Sequence, residues 1–122
     1  MRIVKTEHHD LKARTLTYAA RIAKLCAALP GTREAYNING QLFRSGTSVG
    51  AQVAEANRAK SRADFVSKLE GALQELEETK YWMDLLIELN NMRPKRLQPL
   101  LTETDEIIRI LVAMASRTRR SQ

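Results

Sequence analysis

The sequence is poor in aromatic residues, glycine, proline and cysteine. Aromatic side chains make up 5% of the 122 residues, and the chain holds five glycines, three prolines and one cysteine. A β-sandwich needs more turn residues, and a disulfide scaffold needs more cysteines. Hydrophobic residues nevertheless make up 43% of the chain, so the core must be built mainly from Leu, Ile, Val, Ala and Met. This composition favours an all-helical protein.

Long apolar runs are also missing. No window approaches the roughly 18 uninterrupted apolar residues of a membrane span, and the first residues contain no apolar run of signal-peptide length. The single cysteine, Cys26, has no partner for an internal disulfide and is predicted to be a buried thiol in a reducing compartment. We therefore expect a soluble cytoplasmic protein of one domain, with no membrane association and no cofactor.

Apolar residues recur at alternating steps of three and four in four segments, which predicts four amphipathic helices. Pro30-Gly31 ends the first segment, Ser61 and Asp64 suit the start of the third, and Pro94 or Pro99 suits the first turn of the fourth. The predicted helices span about 10–29, 34–58, 62–91 and 95–117, followed by a frayed tail at 118–122. Short connections between such helices predict a single antiparallel up-down-up-down four-helix bundle over residues 1–122.

The dipeptide Asn39-Gly40 is a local signal against the second helix. It marks a β-hairpin when strands flank it. The spacing of Leu42, Val49 and Val53 downstream is helical rather than alternating. We therefore predict that the second helix runs through this dipeptide.

The stretch GTSVG, residues 46–50, matches two motifs of opposite meaning. A hydrolase nucleophile elbow would use Ser48 on a turn between a strand and a helix, with a histidine later in the chain. The only histidines, His8 and His9, precede Ser48, and no strand pattern leads into Gly46. We therefore predict no catalytic residue and no enzymatic activity.

The other interpretation of this stretch is a helix-packing surface. Gly46, Gly50 and Ala54 recur every four residues, so they share one helix face and allow another backbone to come close. Each helical glycine costs about 1 kcal/mol relative to alanine, which a close contact would offset. The contacting helix can belong to the same chain or to another subunit. Tyr81 and Trp82 are likewise predicted to pack between helices or subunits.

Two groups of residues are candidate metal ligands. His8 and His9 have no second pair at ligand spacing, and they are predicted to be solvated. The third helix carries a set of carboxylates without the Glu-x-x-His partners that a two-metal bundle requires, so no metal is predicted and the set is interpreted as a solvated or inter-subunit acidic face. Its members are Glu75, Glu77, Glu78, Asp84 and Glu88.

The charge is unevenly distributed along the chain. Residues 61–91 hold three basic and seven acidic residues and therefore have a net charge of −4. The other residues must carry a net charge of +10, because the whole chain has a net charge of +6. An antiparallel bundle would gather one basic set at one end, opposed there by Glu7, Asp10, Glu55 and Asp64. That set is Arg2, Lys5, Lys12, Arg58, Lys60, Arg62, Arg117, Arg119 and Arg120. The opposite end would hold Arg21, Lys24, Arg33, Arg93, Lys95 and Arg96.

The second and third helices resemble a known family. The matching stretches are residues 41–42 (QL), 44–51 (RSGTSVGA), 53–56 (VAEA), 61–65 (SRADF) and 78–82 (ETKYW). In this order they resemble the bacterial four-helix bundle proteins encoded by intervening sequences within 23S ribosomal RNA genes. The resemblance implies a bundle that assembles into a homo-oligomeric ring, typically a pentamer, without established enzymatic activity. It also implies kinship to the accessory variability proteins of diversity-generating retroelements, which associate with a reverse transcriptase and nucleic acid.

Charge and resemblance together suggest a non-enzymatic oligomer that binds structured RNA or RNA–DNA hybrids with little sequence specificity. The nucleic-acid-binding residues predicted are Lys12, Arg58, Lys60, Arg62, Arg117, Arg119 and Arg120. The alternative is a protein-interaction scaffold, for example for a reverse transcriptase, with no direct role in nucleic-acid binding.

Overall fold

The computed structural model describes residues 5–121, with side chains from residue 11 onwards. Within that range the chain forms four helices and no strand, which confirms the all-helical prediction. The helices are α1 (Lys5–Ala27), α2 (Arg33–Asn57), α3 (Arg62–Glu88) and α4 (Pro94–Arg120). None of these helices is long and apolar enough to cross a membrane.

Local side-chain chemistry explains most of the helix boundaries. The Thr32 hydroxyl accepts a hydrogen bond from the Ala35 amide at 3.1 Å, and Ser61 does the same for the Asp64 amide at 3.0 Å. Pro94 is the first residue of α4. The third helix ends at Glu88, three residues before the predicted boundary, because Asn90 adopts a positive φ of 58°. The dipeptide Asn39-Gly40 lies inside α2, as predicted.

The outer ends of α1 and α4 differ from the prediction. The first helix begins at Lys5 rather than near residue 10, and α4 continues to Arg120, so most of the tail predicted to fray is helical. Thr118 donates to the Met114 carbonyl at 2.9 Å, and Arg120 donates to the Ser116 hydroxyl at 2.7 Å. Basic residues also suit a helix C-terminus. Apolar periodicity does not record such polar stabilisation, which is why it does not predict the helical tail.

The helices close into a bundle around one core. The second helix packs on α1 and on α3, and α3 packs on α4. The hydroxyls of Tyr18 and Thr104, 2.6 Å apart and buried, join α1 to α4. The largest fully buried side chains include Tyr18, Ile22, Leu42, Phe65, Leu69, Leu76, Met83, Leu86, Ile107 and Leu111. Cys26 is buried as well, and burial raises the pKa of its thiol.

The two glycines of the packing surface contact α1 of the same chain. A Cβ added at Gly46 would lie 2.7 Å from Ile22 Cγ1, and one added at Gly50 would lie 3.1 Å from Thr15 Oγ1. The sequence leaves open whether the contacting helix belongs to the same chain or to another subunit. For Gly46 and Gly50 it is α1 of the same chain. Ala54 is exposed, so it lies outside this close contact.

Candidate nucleic-acid interface

The start of α1, the end of α2, the start of α3 and the end of α4 lie at one end of the bundle. Arg62 donates to the Ser121 carbonyl at 2.8 Å, which joins α3 to the end of α4. Lys68 forms a 3.0 Å ion pair with Glu55, which joins α3 to α2. We call this end the basic pole and define it by seven exposed residues: Lys12, Arg58, Lys60, Arg62, Arg117, Arg119 and Arg120.

The residues of the basic pole differ in what their side chains contact. Arg119 forms an ion pair with Glu70, Arg62 holds the Ser121 carbonyl, and Arg120 donates to Ser116. Among the described residues, the charged groups of Lys12, Arg58 and Lys60 form no ion pair or hydrogen bond. We call these three the unpaired cations of the basic pole, because none of the described side chains pairs with them.

Acidic residues at this end are engaged by their neighbours. Glu55 pairs with Lys68, and this hydrogen bond raises the pKa of Lys68. The Asp64 carboxylate accepts a hydrogen bond from the Lys60 backbone amide at 3.2 Å. The remaining residues assigned to this end from the sequence lie outside the described side chains, as do both histidines. They are Arg2, Lys5, Glu7, His8, His9 and Asp10.

Two concave surfaces meet at Arg58. A groove of about 500 Å³ runs between α1 and α2, with Lys12 and Arg58 at one end. Its sides are mainly small or apolar and consist of Thr15, Leu16, Ala19, Thr47, Gly50, Ala51, Val53, Ala54 and Asn57. A second hollow of about 570 Å³ lies at the connection between α2 and α3, where Lys60 lines it together with Arg58. The unpaired cations therefore border both concave surfaces.

A polar network between α2 and α3 is absent from the predictions made on the sequence. Arg44 forms an ion pair with Glu75 at 2.9 Å and another with Glu78. Ser48 donates to Glu75, and the Trp82 indole donates to Glu78 at 3.0 Å. The hydrogen bonds from Arg44 and from Trp82 lower the pKa of Glu78. These five residues, which we call the α2–α3 network, hold the two helices together.

The α2–α3 network corrects two interpretations. Glu75 and Glu78 are partly buried and face α2, so they are not part of a solvated acidic face. Tyr81 is 58% exposed, whereas Trp82 is half-buried beside the core. The rings of Tyr81 and Trp82 meet edge to face, with centroids 5.1 Å apart. Within the chain Trp82 packs against the core and Tyr81 does not, and packing of Tyr81 between subunits stays a prediction.

Helical spacing could have revealed the network. Arg44 and Ser48 are four residues apart on α2, and their acceptors Glu75 and Glu78 are three apart on α3, so each set shares a face. The hydroxyls of Ser45 and Thr79 extend this contact into the core at 2.7 Å. Ser48 lies in the middle of a helix and donates to a carboxylate, which is a structural role.

Four of the five network residues, all except Glu75, lie in stretches that carry the family resemblance. The family model for the 23S rRNA-intervening sequence protein matches residues 7–113. The chain belongs to this family. The chain is also similar to a protein of unknown function from the S23 ribosomal protein family of Bacteroides thetaiotaomicron VPI-5482, solved at 1.70 Å. The two are 35% identical with a TM-score of 0.83, over 89% of this chain and 97% of the other. No curated protein matches the chain.

Proposed function

We propose that this protein binds nucleic acid at the basic pole, without catalysing a reaction on it. The observation that carries the proposal is the position of Lys12, Arg58 and Lys60, whose exposed charges are unpaired among the described residues and border two concave surfaces. Phosphate groups attract such cations regardless of base sequence. Structured RNA and RNA–DNA hybrids are the favoured ligands because the family name connects these proteins with ribosomal RNA genes.

The expected binding is electrostatic and salt-dependent. The logarithm of the association constant falls with the logarithm of salt concentration by roughly 0.9 for each duplex phosphate neutralised. Three contacts by the unpaired cations would give a slope of about −2.7 per subunit. A steeper slope would mean that Arg62, Arg117, Arg119 or Arg120 also contacts phosphate.

A salt series with matched variants tests the proposal. Fluorescence anisotropy would measure the binding of a labelled RNA hairpin to wild type and to Lys12→Gln/Arg58→Gln/Lys60→Gln. The control, Arg33→Gln/Arg93→Gln/Lys95→Gln, changes the net charge equally at the other end of the bundle. We expect the first variant to lose most of the salt slope and the control to keep it. Absence of wild-type binding at low salt, or equal losses in both variants, would overturn the proposal.

We also propose that copies of the chain assemble side by side through the groove between α1 and α2. Leu16 in this groove is 71% exposed, Phe43 on α2 is 46% exposed, and Ala51 and Ala54 are exposed beside them. The family resemblance implies a homopentameric ring, which would multiply weak phosphate contacts. Light scattering should give a mass several times 13.8 kDa for wild type and a lower mass for Leu16→Asp. A monomeric wild type would exclude the ring.

The same groove supports a second candidate function, that of a scaffold for a protein such as a reverse transcriptase. Its small and apolar lining suits a protein surface better than a phosphate. Co-purification with a reverse transcriptase that survives nuclease treatment and is lost in Leu16→Asp would support the scaffold. Co-purification that nuclease abolishes would instead assign the association to nucleic acid.

A further inference from the structure

A cleft at the other end of the bundle carries a separate set of cations. It lies between the end of α1 and the start of α4 and has a volume of about 270 Å³. Arg21 and Lys24 line it from α1, and Arg96 lines it from α4. The accessible apolar surface of the cleft comes from Leu25, Ala28 and Pro99.

The charges of this cleft are not neutralised internally. Among the described residues, Arg21, Lys24 and Arg96 form no side-chain ion pair or hydrogen bond. The hydrogen bond from Arg14 is the main cause that lowers the pKa of Glu103, and the charge of Arg21 also contributes. Arg14 holds this carboxylate through two 2.8 Å hydrogen bonds. The first turn of α4 also contains no acidic residue. The three cations therefore line a cleft to which no acidic residue contributes among the described side chains.

We propose that this cleft binds a phosphate group together with the sugar or base attached to it. Two guanidinium groups and one ammonium group from two helices would hold the phosphate, since arginine recognises phosphate through paired hydrogen bonds. The attached group would lie against Leu25, Ala28 and Pro99. The volume of about 270 Å³ lies just below the roughly 300 Å³ at which ligand pockets start, so the bound unit should be no larger than a mononucleotide.

Two sources supply this chemistry. One is a nucleotide within an RNA that also contacts the basic pole, in which case the inference rests on the proposed function. The other is a free mononucleotide. Lys12 and Lys24 are about 18 Å apart along α1 at 1.5 Å per residue, so one phosphate cannot reach both ends. Even at the 3.4 Å per phosphate of a B-form DNA strand, a duplex needs at least about six base pairs to span that length, so a ten-base-pair duplex is long enough.

The test combines two probes with two matched variants. Amide chemical shifts of wild type would be followed during titration with 5′-AMP and with a ten-base-pair RNA duplex. The cleft variant is Arg21→Gln/Lys24→Gln/Arg96→Gln. The control variant is Arg33→Gln/Arg93→Gln/Lys95→Gln, which removes the same charge from the same end without changing the cleft. Circular dichroism of both variants verifies that the helices are retained.

We expect 5′-AMP to shift the amides of residues 21–28, 96–98 and 100, with affinity at least about tenfold weaker in the cleft variant and within about twofold in the control, because only the former loses direct phosphate contacts. Equal weakening in both variants, or shifts elsewhere, would overturn the inference and leave RNA binding at the basic pole intact. Binding of 5′-AMP in the cleft without any RNA binding would support the inference for free mononucleotides and overturn the proposed function. Loss of RNA affinity in the cleft variant alone would identify the RNA as the source of the phosphate.

Discussion

The backbone of Gly46 in α2 lies against the side chain of Ile22 in α1. A Cβ at position 46 would be 2.7 Å from both Cγ atoms of Ile22, which is fully buried. Isoleucine is stiff at its first side-chain torsion, and a fully buried side chain has little room to move. This pair therefore sets how closely the first two helices approach.

We predict that Gly46→Ala destabilises the protein by up to about 2 kcal/mol. Overpacking costs about 1–3 kcal/mol, which exceeds the gain of about 1 kcal/mol from placing alanine in a helix. The control is Gly40→Ala in the same helix, where no atom would lie within 4 Å of the new Cβ. It should stabilise by up to about 1 kcal/mol. Urea unfolding monitored by circular dichroism measures both changes, and a stabilising Gly46→Ala would contradict the close contact.

Substitutions at Ile22 should show which atoms cause the effect. Ile22→Ala removes both Cγ atoms, whereas Ile22→Val keeps both. In a double-mutant cycle we expect Gly46→Ala to be better tolerated, by at least about 1 kcal/mol, when it is combined with Ile22→Ala. Combination with Ile22→Val should bring no such relief. Equal coupling energies in the Ile22→Ala and Ile22→Val cycles would mean that the Cγ atoms of Ile22 do not cause the steric conflict.

The hydroxyl pair of Tyr18 and Thr104 should respond asymmetrically to substitution. Thr104 also donates to the Leu100 carbonyl at 2.8 Å, so Tyr18→Phe leaves the threonine satisfied and should cost about 1 kcal/mol. Thr104→Val leaves the Tyr18 hydroxyl buried without this partner, and should cost about 1–3 kcal/mol. Thermal unfolding of the two variants measures the difference. Equal costs would mean that water replaces Thr104.

Protonation of Glu78 should be visible in the fluorescence of Trp82, the only tryptophan. The hydrogen bonds from Arg44 and Trp82 hold the pKa of Glu78 below its ordinary value, so the emission should change at a pH below about 4.3. Arg44→Ala removes the main cause and should move the midpoint upward. Glu78→Gln should abolish the transition, and Glu77→Gln, on the exposed side of α3, should leave it. Far-UV circular dichroism must stay constant across the titration.

The Arg14–Glu103 pair predicts part of the acid sensitivity of the fold. The hydrogen bond from Arg14 lowers the pKa of Glu103 in the folded state, so the pair stabilises the protein above the unfolded pKa of about 4.3 and this contribution is lost as pH falls through the folded pKa. Glu103→Gln should cost about 1 kcal/mol at pH 7. The difference from wild type should vanish near pH 2. A difference that persists there would indicate a role other than charge pairing.

Periodic features of the sequence are enough to predict the four helices and their order. The positions of Leu42, Val49 and Val53 outweigh the hairpin signal of Asn39-Gly40 because three buried contacts exceed a local turn preference. Apolar spacing does not reveal polar contacts, so it does not predict the ion pairs of Arg44 with Glu75 and Glu78.

The basic pole was predicted by topology alone, because an antiparallel bundle must bring Lys12 near Arg58. Which cations remain unpaired depends on side-chain geometry. Arg119 and Lys60 look alike in the sequence, yet of these two side chains only that of Arg119 meets a carboxylate among the described residues, that of Glu70. Likewise, Gly46, Gly50 and Ala54 are equivalent in their four-residue repeat. The repeat does not predict that the two glycines contact α1 whereas Ala54 is exposed.

The ion pairs along the bundle also constrain how copies can be arranged. Arg44, Lys80 and Arg14 neutralise carboxylates between neighbouring helices, while cations remain exposed at both ends. Two copies placed end to end would bring like charges together, and the repulsion would be strongest at low salt. The outer face of α1 from Ala13 to Ala20 instead exposes Leu16, Thr17 and small residues. Like charges at both ends therefore oppose end-to-end contact between copies, whereas the face of α1 offers no such repulsion to the side-by-side arrangement that we propose.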